Sequence, residues 1–348
     1  MMRLGIIAGK ATSLINVAKD IAYVAQRKGH VPRILTYVES PTMLAKSGDG
    51  FILVYPAVPL FCAEYMLLFR ELRVNHGKPA VYYAMIEGRP RKHHIAPWMR
   101  RDVEFVAVSK YVREKLVEAG FRVLGVVPHG IVREVVAEAQ KMVSTARKHL
   151  ERLHGEKVIF GVVSHTHPRK GIDYLVSAIQ KLSEKRDDFV VHLVTNREAL
   201  KRYSGVKNLY VDAVFGTRSR EEILAFLGAV DFLVVPALAE GFCLPLLEAN
   251  AMGTLVIHAL YPPLTEISDA DANIVFEYDD VRITYVGDGV EYECHVYSPE
   301  TLAEAMERAI DLLSHKDELE DRKEKVKAVL ERYDAEKLYP KLLRLLGV

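Results

Sequence analysis

Residues 234–253 read VVPALAEGFCLPLLEANAMG. The apolar run before Pro236 is typical of a short buried strand, and the run after Leu244 has the composition of a helix. Pro245 suits the first turn of that helix, and Gly253 suits its C-terminal end. The segment therefore predicts a strand, a loop and a helix, which is the repeating unit of a doubly wound α/β domain.

Similar units surround this segment. The predicted strands of the series are residues 157–163, 190–194, 209–211, 232–235 and 254–258. One stretch departs from the alternation, because residues 282–297 carry strand-like residues on both sides of the sequence GDG at 287–289, which suits a tight hairpin turn. We therefore predict a Rossmann-like domain with an inserted hairpin.

An earlier series of strands and helices precedes this domain. Its predicted strands are residues 3–8, 33–37, 50–54, 80–85, 105–108 and 125–127, and its predicted helices are residues 14–28, 63–75 and 110–119. A charged helical stretch at 134–154 follows without a strand, and we place the domain boundary there. The predicted architecture is α/β, with two Rossmann-like doubly wound domains at 1–145 and 146–325 that face each other across a cleft. A terminal helical segment, 326–348, is expected to pack back on the first domain.

Composition limits the classes of function. The 348 residues contain 47 Lys and Arg against 46 Asp and Glu, so the net charge gives no long-range field for nucleic acid. Cys62, Cys243 and Cys294 form no metal-binding spacing, and three widely spaced cysteines suit a reducing compartment. No apolar run reaches the about 18 residues that a membrane-spanning helix needs. We expect a cytoplasmic protein that does not bind nucleic acid.

The loop before Pro245 has the features of an anion site. Backbone N–H groups at the start of the predicted helix, reinforced by the helix dipole, would point into the crevice between the domains, where a diphosphate can accept them. These groups belong to Gly241, Phe242, Cys243 and Leu244. The flanking carboxylates of Glu240 and Glu248 are suited to accept hydrogen bonds from the hydroxyl groups of a sugar and a ribose. The combination points to a nucleotide sugar.

The same segment resembles the Glu-x7-Glu signature of the retaining GT-B glycosyltransferases of the family-four group, the glycosyl transferases group 1. In that family the first glutamate contacts the donor sugar and the second holds the ribose of the nucleotide. The resemblance implies these roles for Glu240 and Glu248, a diphosphate contact for residues 241–244, and the GT-B fold for the chain.

A second motif, SHTHPRKGID at 164–173, directly follows the strand that opens the second domain. It resembles the family's Gly-Arg-x3-Arg/Lys-Lys-Gly loop, which implies a donor-binding role for Arg169 and a catalytic role for Lys170 on the leaving diphosphate. His165 stands where the family usually has arginine, so either phosphate protonates His165 or the leaving group is stabilised less. Asn196, at the end of another predicted strand, is a candidate for facing the nucleotide base.

The first domain resembles the family less closely. The segments VAVSKYV at 106–112 and VPHGI at 127–131 occur in the expected order. The first turn, however, has one glycine where the family usually has a pair, and a histidine that many members place after the fourth strand is missing. The residues expected to line the first domain's side of the cleft are Gly9, Lys10, Glu87 and His129.

A basic segment, RPRKHHIAPWMRR, runs from Arg89 to Arg101 and contains the single tryptophan of the chain. Charge of this kind suits peripheral contact with an anionic membrane at the inner membrane surface, or with an anionic acceptor. A charged surface loop in which Trp98 packs inward is the alternative interpretation.

Together these features imply a retaining glycosyltransferase that moves a hexose from a UDP- or GDP-linked sugar to a hydroxyl-bearing glycan, lipid or small-molecule acceptor. The nucleotide sugar would be a co-substrate, and neither a permanently bound cofactor nor a metal is expected. A non-catalytic glycosyltransferase-like subunit and a sugar-nucleotide epimerase of the same architecture remain alternatives. A nucleotide-binding oxidoreductase is disfavoured because its Gly-x-Gly-x-x-Gly fingerprint is missing from the first turn.

Overall fold

The structure is a computed structural model that describes residues 1–37 and 40–347. Its contacts divide the chain into two compact units. Unit 1 comprises Met1–Val132, Ile283–Glu293 and Tyr333–Val348, and unit 2 comprises Arg133–Arg282 and Cys294–Arg332.

Unit 1 is built on a parallel sheet. The strands of its N-terminal part are β1 (Arg3–Ala8), β2 (Val31–Leu35), β3 (Gly50–Pro56), β4 (Ala80–Met85), β5 (Arg89–Pro90), β6 (Glu104–Ala107) and β7 (Arg122–Val126). Six of them form the sheet in the order β2-β1-β3-β4-β6-β7, and neighbouring strands pair in parallel. The central strands β1, β3 and β4 are almost wholly buried, as expected for a sheet covered by helices on both faces.

Amphipathic helices connect these strands. They are α1 (Thr12–Arg27), α2 (Pro41–Ser47), α3 (Pro59–Arg70), α4 (Pro97–Asp102) and α5 (Lys110–Glu118), and a π-helical turn at Glu71–Asn75 continues α3. In α1, the buried side chains of Val17, Ile21 and Val24 recur at helical spacing, so one face of the helix covers the sheet.

Unit 2 repeats this architecture. Its strands are β8 (Val158–Val163), β9 (Phe189–Val194), β10 (Leu209–Asp212), β11 (Phe232–Val235), β12 (Leu255–Ala259) and β13 (Ile274–Phe276). They form a sheet in the order β10-β9-β8-β11-β12-β13, with parallel pairings. Counted within the unit, this is the Rossmann strand order 3-2-1-4-5-6. The chain adds strands toward one edge of the sheet from β8 to β10 and toward the other edge from β11 to β13, so the strand order changes direction between β8 and β11.

The helices of unit 2 are α6 (Arg133–His154), α7 (Ile172–Ser183), α8 (Arg197–Tyr203), α9 (Arg220–Ala229), α10 (Leu244–Ala251), α11 (Leu264–Ile267), α12 (Pro299–Leu312), α13 (Lys316–Val326) and α14 (Val329–Arg332). Both parallel sheets agree with the two predicted Rossmann-like domains. No helix in the described residues is both long and apolar enough to cross a membrane.

The predicted hairpin is formed by β14 (Asp280–Thr284) and β15 (Val290–Val296). In the turn, Gly287 and Gly289 have φ of 89° and 83°, a region that favours glycine. Within unit 1, β15 pairs antiparallel with β5 through Val290 and Glu291. Glu293 lies 2.8 Å from the buried Nζ of Lys115, which fixes this part of the hairpin on unit 1.

The boundaries of the units differ from those predicted at 145 and 326. The first division lies at Val132, because α6 packs along α9 and belongs wholly to unit 2. The C-terminal part of unit 1 begins at Tyr333 and forms α15 (Ala335–Leu338) and α16 (Pro340–Arg344). Both helices contact α1, and Glu336 lies 2.6 Å from Arg27 at that contact.

Candidate active site

The candidate site of unit 2 lies between β8 and β11, where the order of the strands in the sheet changes direction. β8 and β11 are neighbours there, with Phe232 opposite Phe160 and Leu233 opposite Gly161. The chain leaves their carboxyl ends as two loops, residues 164–171 and residues 236–243. Ligands of open α/β sheets bind at such a reversal, outside the carboxyl ends of the strands.

The two loops are held against each other through their backbones. The N–H of Leu238 donates to the carbonyl oxygen of Arg169 at 2.8 Å. Gly171 has a φ of 65°, and a Cβ placed there would lie 1.9 Å from the carbonyl oxygen of Pro236. Only glycine permits this approach, so the glycine of the predicted SHTHPRKGID motif serves the packing of the two loops.

Two cations converge on Glu240. The Nζ of Lys170 lies 2.5 Å from Oε1, and the Nη1 of Arg169 lies 3.3 Å from Oε2. The side chains of Glu240, Arg169 and Lys170 are 7%, 9% and 17% exposed. Burial raises the pKa of Glu240, but the two cations outweigh it and leave this pKa below its usual value. Glu240 is therefore a buried carboxylate that stays ionised.

The N-terminus of α10 lies beside this cluster. A small cavity of about 20 Å³ is lined by both charged groups of the Lys170–Glu240 pair together with Ser164, Cys243 and Pro245. Cys243 precedes α10 with a φ of 82°, and Pro245 occupies its first turn as predicted. Burial and the charge of Glu240 raise the pKa of the Cys243 thiol to about 12, so this thiol is protonated at neutral pH.

His165 joins the site as a neutral imidazole. Burial and the charges of Lys170 and Arg169 lower its pKa to about 4. The backbone N–H of His167 donates to its Nδ1 at 3.2 Å, which assigns the ring proton to Nε2. His165 can therefore donate a hydrogen bond through Nε2 but carries no charge at neutral pH.

Glu248 has a cationic neighbour that sequence reasoning missed. The Nε of Arg220, at the first position of α9, lies 3.3 Å from its Oε1, and the two side chains are 9% and 10% exposed. The capping pair Ser219 and Glu222 signals where α9 begins. No local pattern, however, connects Arg220 with a glutamate 28 residues away.

Asn196 lies at the same edge of the sheet. Its Nδ2 donates to the hydroxyl of Thr166 at 3.2 Å, and its Oδ1 accepts from the hydroxyl of Thr195 at 3.1 Å. These bonds tie the end of β9 to the loop that follows β8.

The candidates of the first domain lie in unit 1. Gly9 directly follows β1, and a Cβ there would lie 2.7 Å from a methyl carbon of Leu14. Lys10 is exposed and Glu87 is half-buried. His129 is 4% exposed and its Nδ1 is hydrogen-bonded to the hydroxyl of Tyr83 at 3.0 Å. Gly9 and Lys10 therefore follow β1, the strand at which the strand order of unit 1 changes direction. His129, in contrast, is a buried ring that is hydrogen-bonded within unit 1.

Much of the charge in the basic segment from Arg89 to Arg101 is paired. Arg89 and Arg91 lie 2.8 Å and 3.6 Å from Glu291 of the hairpin. Arg101 pairs with Asp102 at 2.7 Å, and Trp98 is half-buried. These pairs reduce the positive charge that this segment offers to an anionic surface.

The described residues contain no group of three or more His, Cys, Asp or Glu side chains arranged to hold a metal ion. The charged groups of the site are instead those of Arg169, Lys170, Arg220, Glu240 and Glu248.

The family model for glycosyl transferases group 1 matches residues 156–312. The uncharacterized glycosyltransferase 335 of Sulfolobus islandicus rod-shaped virus 1 is 30% identical over 346 residues, which cover 98% of this chain and 100% of the viral protein.

Two solved structures share the fold at low sequence identity. A glycosyltransferase from Rickettsia africae has a TM-score of 0.72 at 15% identity, over 99% of this chain and 97% of that one. HepE of Anabaena, in complex with UDP and glucose, has a TM-score of 0.70 at 13% identity, over 100% of both chains. The GT-B fold predicted from the sequence is thereby confirmed.

Proposed function

Since the chain belongs to the glycosyl transferases group 1 family, we propose that it moves a hexose from a UDP- or GDP-linked donor to a hydroxyl group, with retention of anomeric configuration. The observation that carries this proposal is the convergence of Lys170 and Arg169 on the ionised Glu240 beside the N-terminus of α10. A nucleotide sugar needs both charges: cations for its diphosphate and a carboxylate for its hydroxyl groups.

The diphosphate is the anion that this site is proposed to take. The ammonium of Lys170 is the more exposed of the two cations, and it is the one that can turn from Glu240 to a phosphate oxygen. Backbone N–H groups of residues 241–244 and the dipole of α10 add to its attraction. Negative charge grows on the diphosphate as it leaves, so these groups stabilise the transition state more than the bound donor.

Glu240 is proposed to hold the sugar. Because it stays ionised, it is an acceptor for two or more hydroxyl groups of a hexose. The sugar would thus be fixed beside the cations that hold its leaving group. Transfer with retention then follows if the acceptor hydroxyl attacks from the face on which the diphosphate departs. The nearby thiol of Cys243 is protonated and is not proposed as a nucleophile.

Glu248 is proposed to bind the ribose, with Arg220 fixing its carboxylate. The UDP and glucose of the HepE complex agree with a hexose donor of this class. We propose the acceptor side in unit 1, at Gly9, Lys10, Glu87 and His129. We also propose that Lys170 and Arg169 neutralise the diphosphate in place of a metal ion.

One observation favours a second candidate, a non-catalytic relative that binds a nucleotide sugar without transferring it. His165 is neutral where the family usually has a permanently charged arginine. Such a protein would bind the donor and leave it intact.

Saturation-transfer NMR with a panel of UDP- and GDP-hexoses, with and without EDTA, tests the proposal on the wild type and on Glu248→Ala. We expect one donor to bind in EDTA and the variant to lose it. Release of the nucleoside diphosphate distinguishes the enzyme from the non-catalytic relative. Failure of every donor to bind at millimolar concentration would overturn the proposed function.

A further inference from the structure

The loop that carries Glu240 has an unusual backbone. Four successive carbonyl groups, from Pro236 to Ala239, each accept a hydrogen bond from a donor outside the loop. These bonds are Tyr297 Oη to Pro236 O at 2.6 Å, Tyr261 Oη to Ala237 O at 2.7 Å, His295 N to Leu238 O at 2.8 Å and Arg169 Nη1 to Ala239 O at 3.2 Å. The Nδ1 of His295 lies 3.2 Å from the same Leu238 oxygen. This half of the loop has no regular secondary structure, yet each of its four carbonyl groups has a hydrogen-bond donor, as in a strand.

The donors come from separate parts of unit 2. Arg169 belongs to the loop after β8, Tyr261 follows β12, and His295 and Tyr297 lie in and just after β15. All four residues are buried. Strand β15 of the hairpin and the residue that directly follows it therefore supply two of the four partners of the Glu240 loop.

The donors are themselves fixed by ring packing. The ring of His295 stacks on that of Tyr261 with centroids 4.2 Å apart and an angle of 9°. Tyr297 packs edge-on against Phe276 at 4.9 Å. Rings held in this way aim each hydroxyl at one carbonyl, so the position of the loop is set before any ligand binds.

We propose that Tyr261, His295 and Tyr297 are positioning residues, which hold the Pro236–Ala239 carbonyl groups so that Glu240 meets the sugar of the donor. This inference rests on the proposed function of Glu240. The three residues touch no reacting atom and act only through the loop. Displacement of a positioned group by about 1 Å costs on the order of 10²-fold in rate, so small shifts of this loop matter.

The substitutions Tyr297→Phe and Tyr261→Phe, alone and combined, test the proposal because each removes one hydroxyl and keeps the ring. Tyr82→Phe is the matched control: Tyr82 is fully buried in unit 1, and its hydroxyl donates to the carbonyl of Pro56 at 3.2 Å. For each variant, dissociation constants are measured for UDP-glucose, UDP, GDP-mannose and GDP. The readout is the dissociation constant of a nucleotide sugar divided by that of its nucleoside diphosphate. This ratio isolates the contribution of the sugar contact to binding.

We expect this ratio of dissociation constants to rise about tenfold in the double variant, with UDP or GDP binding nearly unchanged and Tyr82→Phe like the wild type. Hydrogen exchange of residues 237–242 should rise in Tyr297→Phe and Tyr261→Phe and not in the control. A double variant with the wild-type ratio and wild-type exchange would overturn the positioning role. If Glu240→Gln also leaves the ratio unchanged, the proposed sugar-binding role of Glu240 is wrong. Hydrogen exchange of residues 237–242 in the tyrosine variants then decides whether the three residues hold the loop.

Discussion

Lys170 and Glu240 are 70 residues apart in the chain, yet their side chains meet at 2.5 Å. Each belongs to the loop that follows one of the two strands, β8 and β11, between which the strand order of unit 2 changes direction. The pairing places a cation and an ionised carboxylate side by side at the point where an α/β sheet binds its ligand.

Replacing Lys170 by methionine should lower the rate of donor cleavage by about 10²- to 10³-fold, because the variant loses a charge that stabilises the departing diphosphate. The measurement is release of UDP or GDP from the donor that binds best. Lys181→Met is the control, because Lys181 forms a similar 2.5 Å pair with Glu300 but both side chains are about half exposed. Activity of Lys170→Met equal to that of Lys181→Met would contradict the assignment.

The Arg220–Glu248 pair should contribute to stability as well as to ribose binding. Arg220→Met removes a cation from beside a carboxylate that is 10% exposed, and we expect the free energy of unfolding to fall by about 3 kcal/mol. Urea denaturation measures this loss. The exposed pair of Arg202 and Asp173 provides the control, and Arg202→Met should change stability by less than about 1 kcal/mol. The prediction is wrong if the two arginine variants are equally stable.

The close approach of the two site loops makes Gly171 irreplaceable. Gly171→Ala adds a Cβ that would lie 1.9 Å from the carbonyl oxygen of Pro236, at a φ of 65°, and should cost more than about 2 kcal/mol of stability. Gly205→Ala separates the two effects, because its φ is 88° but its Cβ would meet no atom within 4 Å. We expect that control to lose about 1 kcal/mol, measured by thermal unfolding. Equal losses in both variants would show that the contact with Pro236 is unimportant.

The buried strands were the part of the fold that the sequence predicted best. The predictions for β1, β4 and β11 match the structure to the residue, because strands buried on both faces appear as continuous apolar runs. The prediction for β7 started at residue 125 instead of Arg122, because this edge strand begins with an exposed charged residue and lacks a buried apolar run.

The site was predictable only where a motif carried it. Glu240, Lys170 and Glu248 were predicted from two local patterns, whereas the residues that contact them come from distant parts of the chain. Arg220 is 28 residues from Glu248, and Tyr297 is 61 residues from the carbonyl that it holds. Such pairs depend on the packing of strands and helices, and no periodicity or spacing reports them.

Acid should destabilise the protein through its buried histidines. Burial lowers the pKa of His258 and that of His165 to about 4, below the value of about 6.5 for an unfolded chain. Between pH 4 and 6.5 the unfolded state therefore binds more protons than the folded state. The stabilisation is complete above pH 6.5, and it is lost as the pH falls toward 4. Urea denaturation at a series of pH values should show the free energy of unfolding rising with pH across this window.

His258 allows this dependence to be assigned to one side chain. Its ring is fully buried, with Nδ1 2.9 Å from the carbonyl oxygen of Ala259 and Nε2 2.7 Å from the hydroxyl of Ser268. The neutral ring satisfies both partners by donating to the carbonyl and accepting from the hydroxyl, whereas the protonated ring has no acceptor left for Ser268. His258→Gln keeps one donor and one acceptor but cannot titrate, so its slope should be shallower by up to about 1.4 kcal/mol per pH unit. His149→Gln, on an exposed part of α6, is the control for the loss of a histidine. An unaltered slope in His258→Gln would mean that other groups cause the sensitivity to acid.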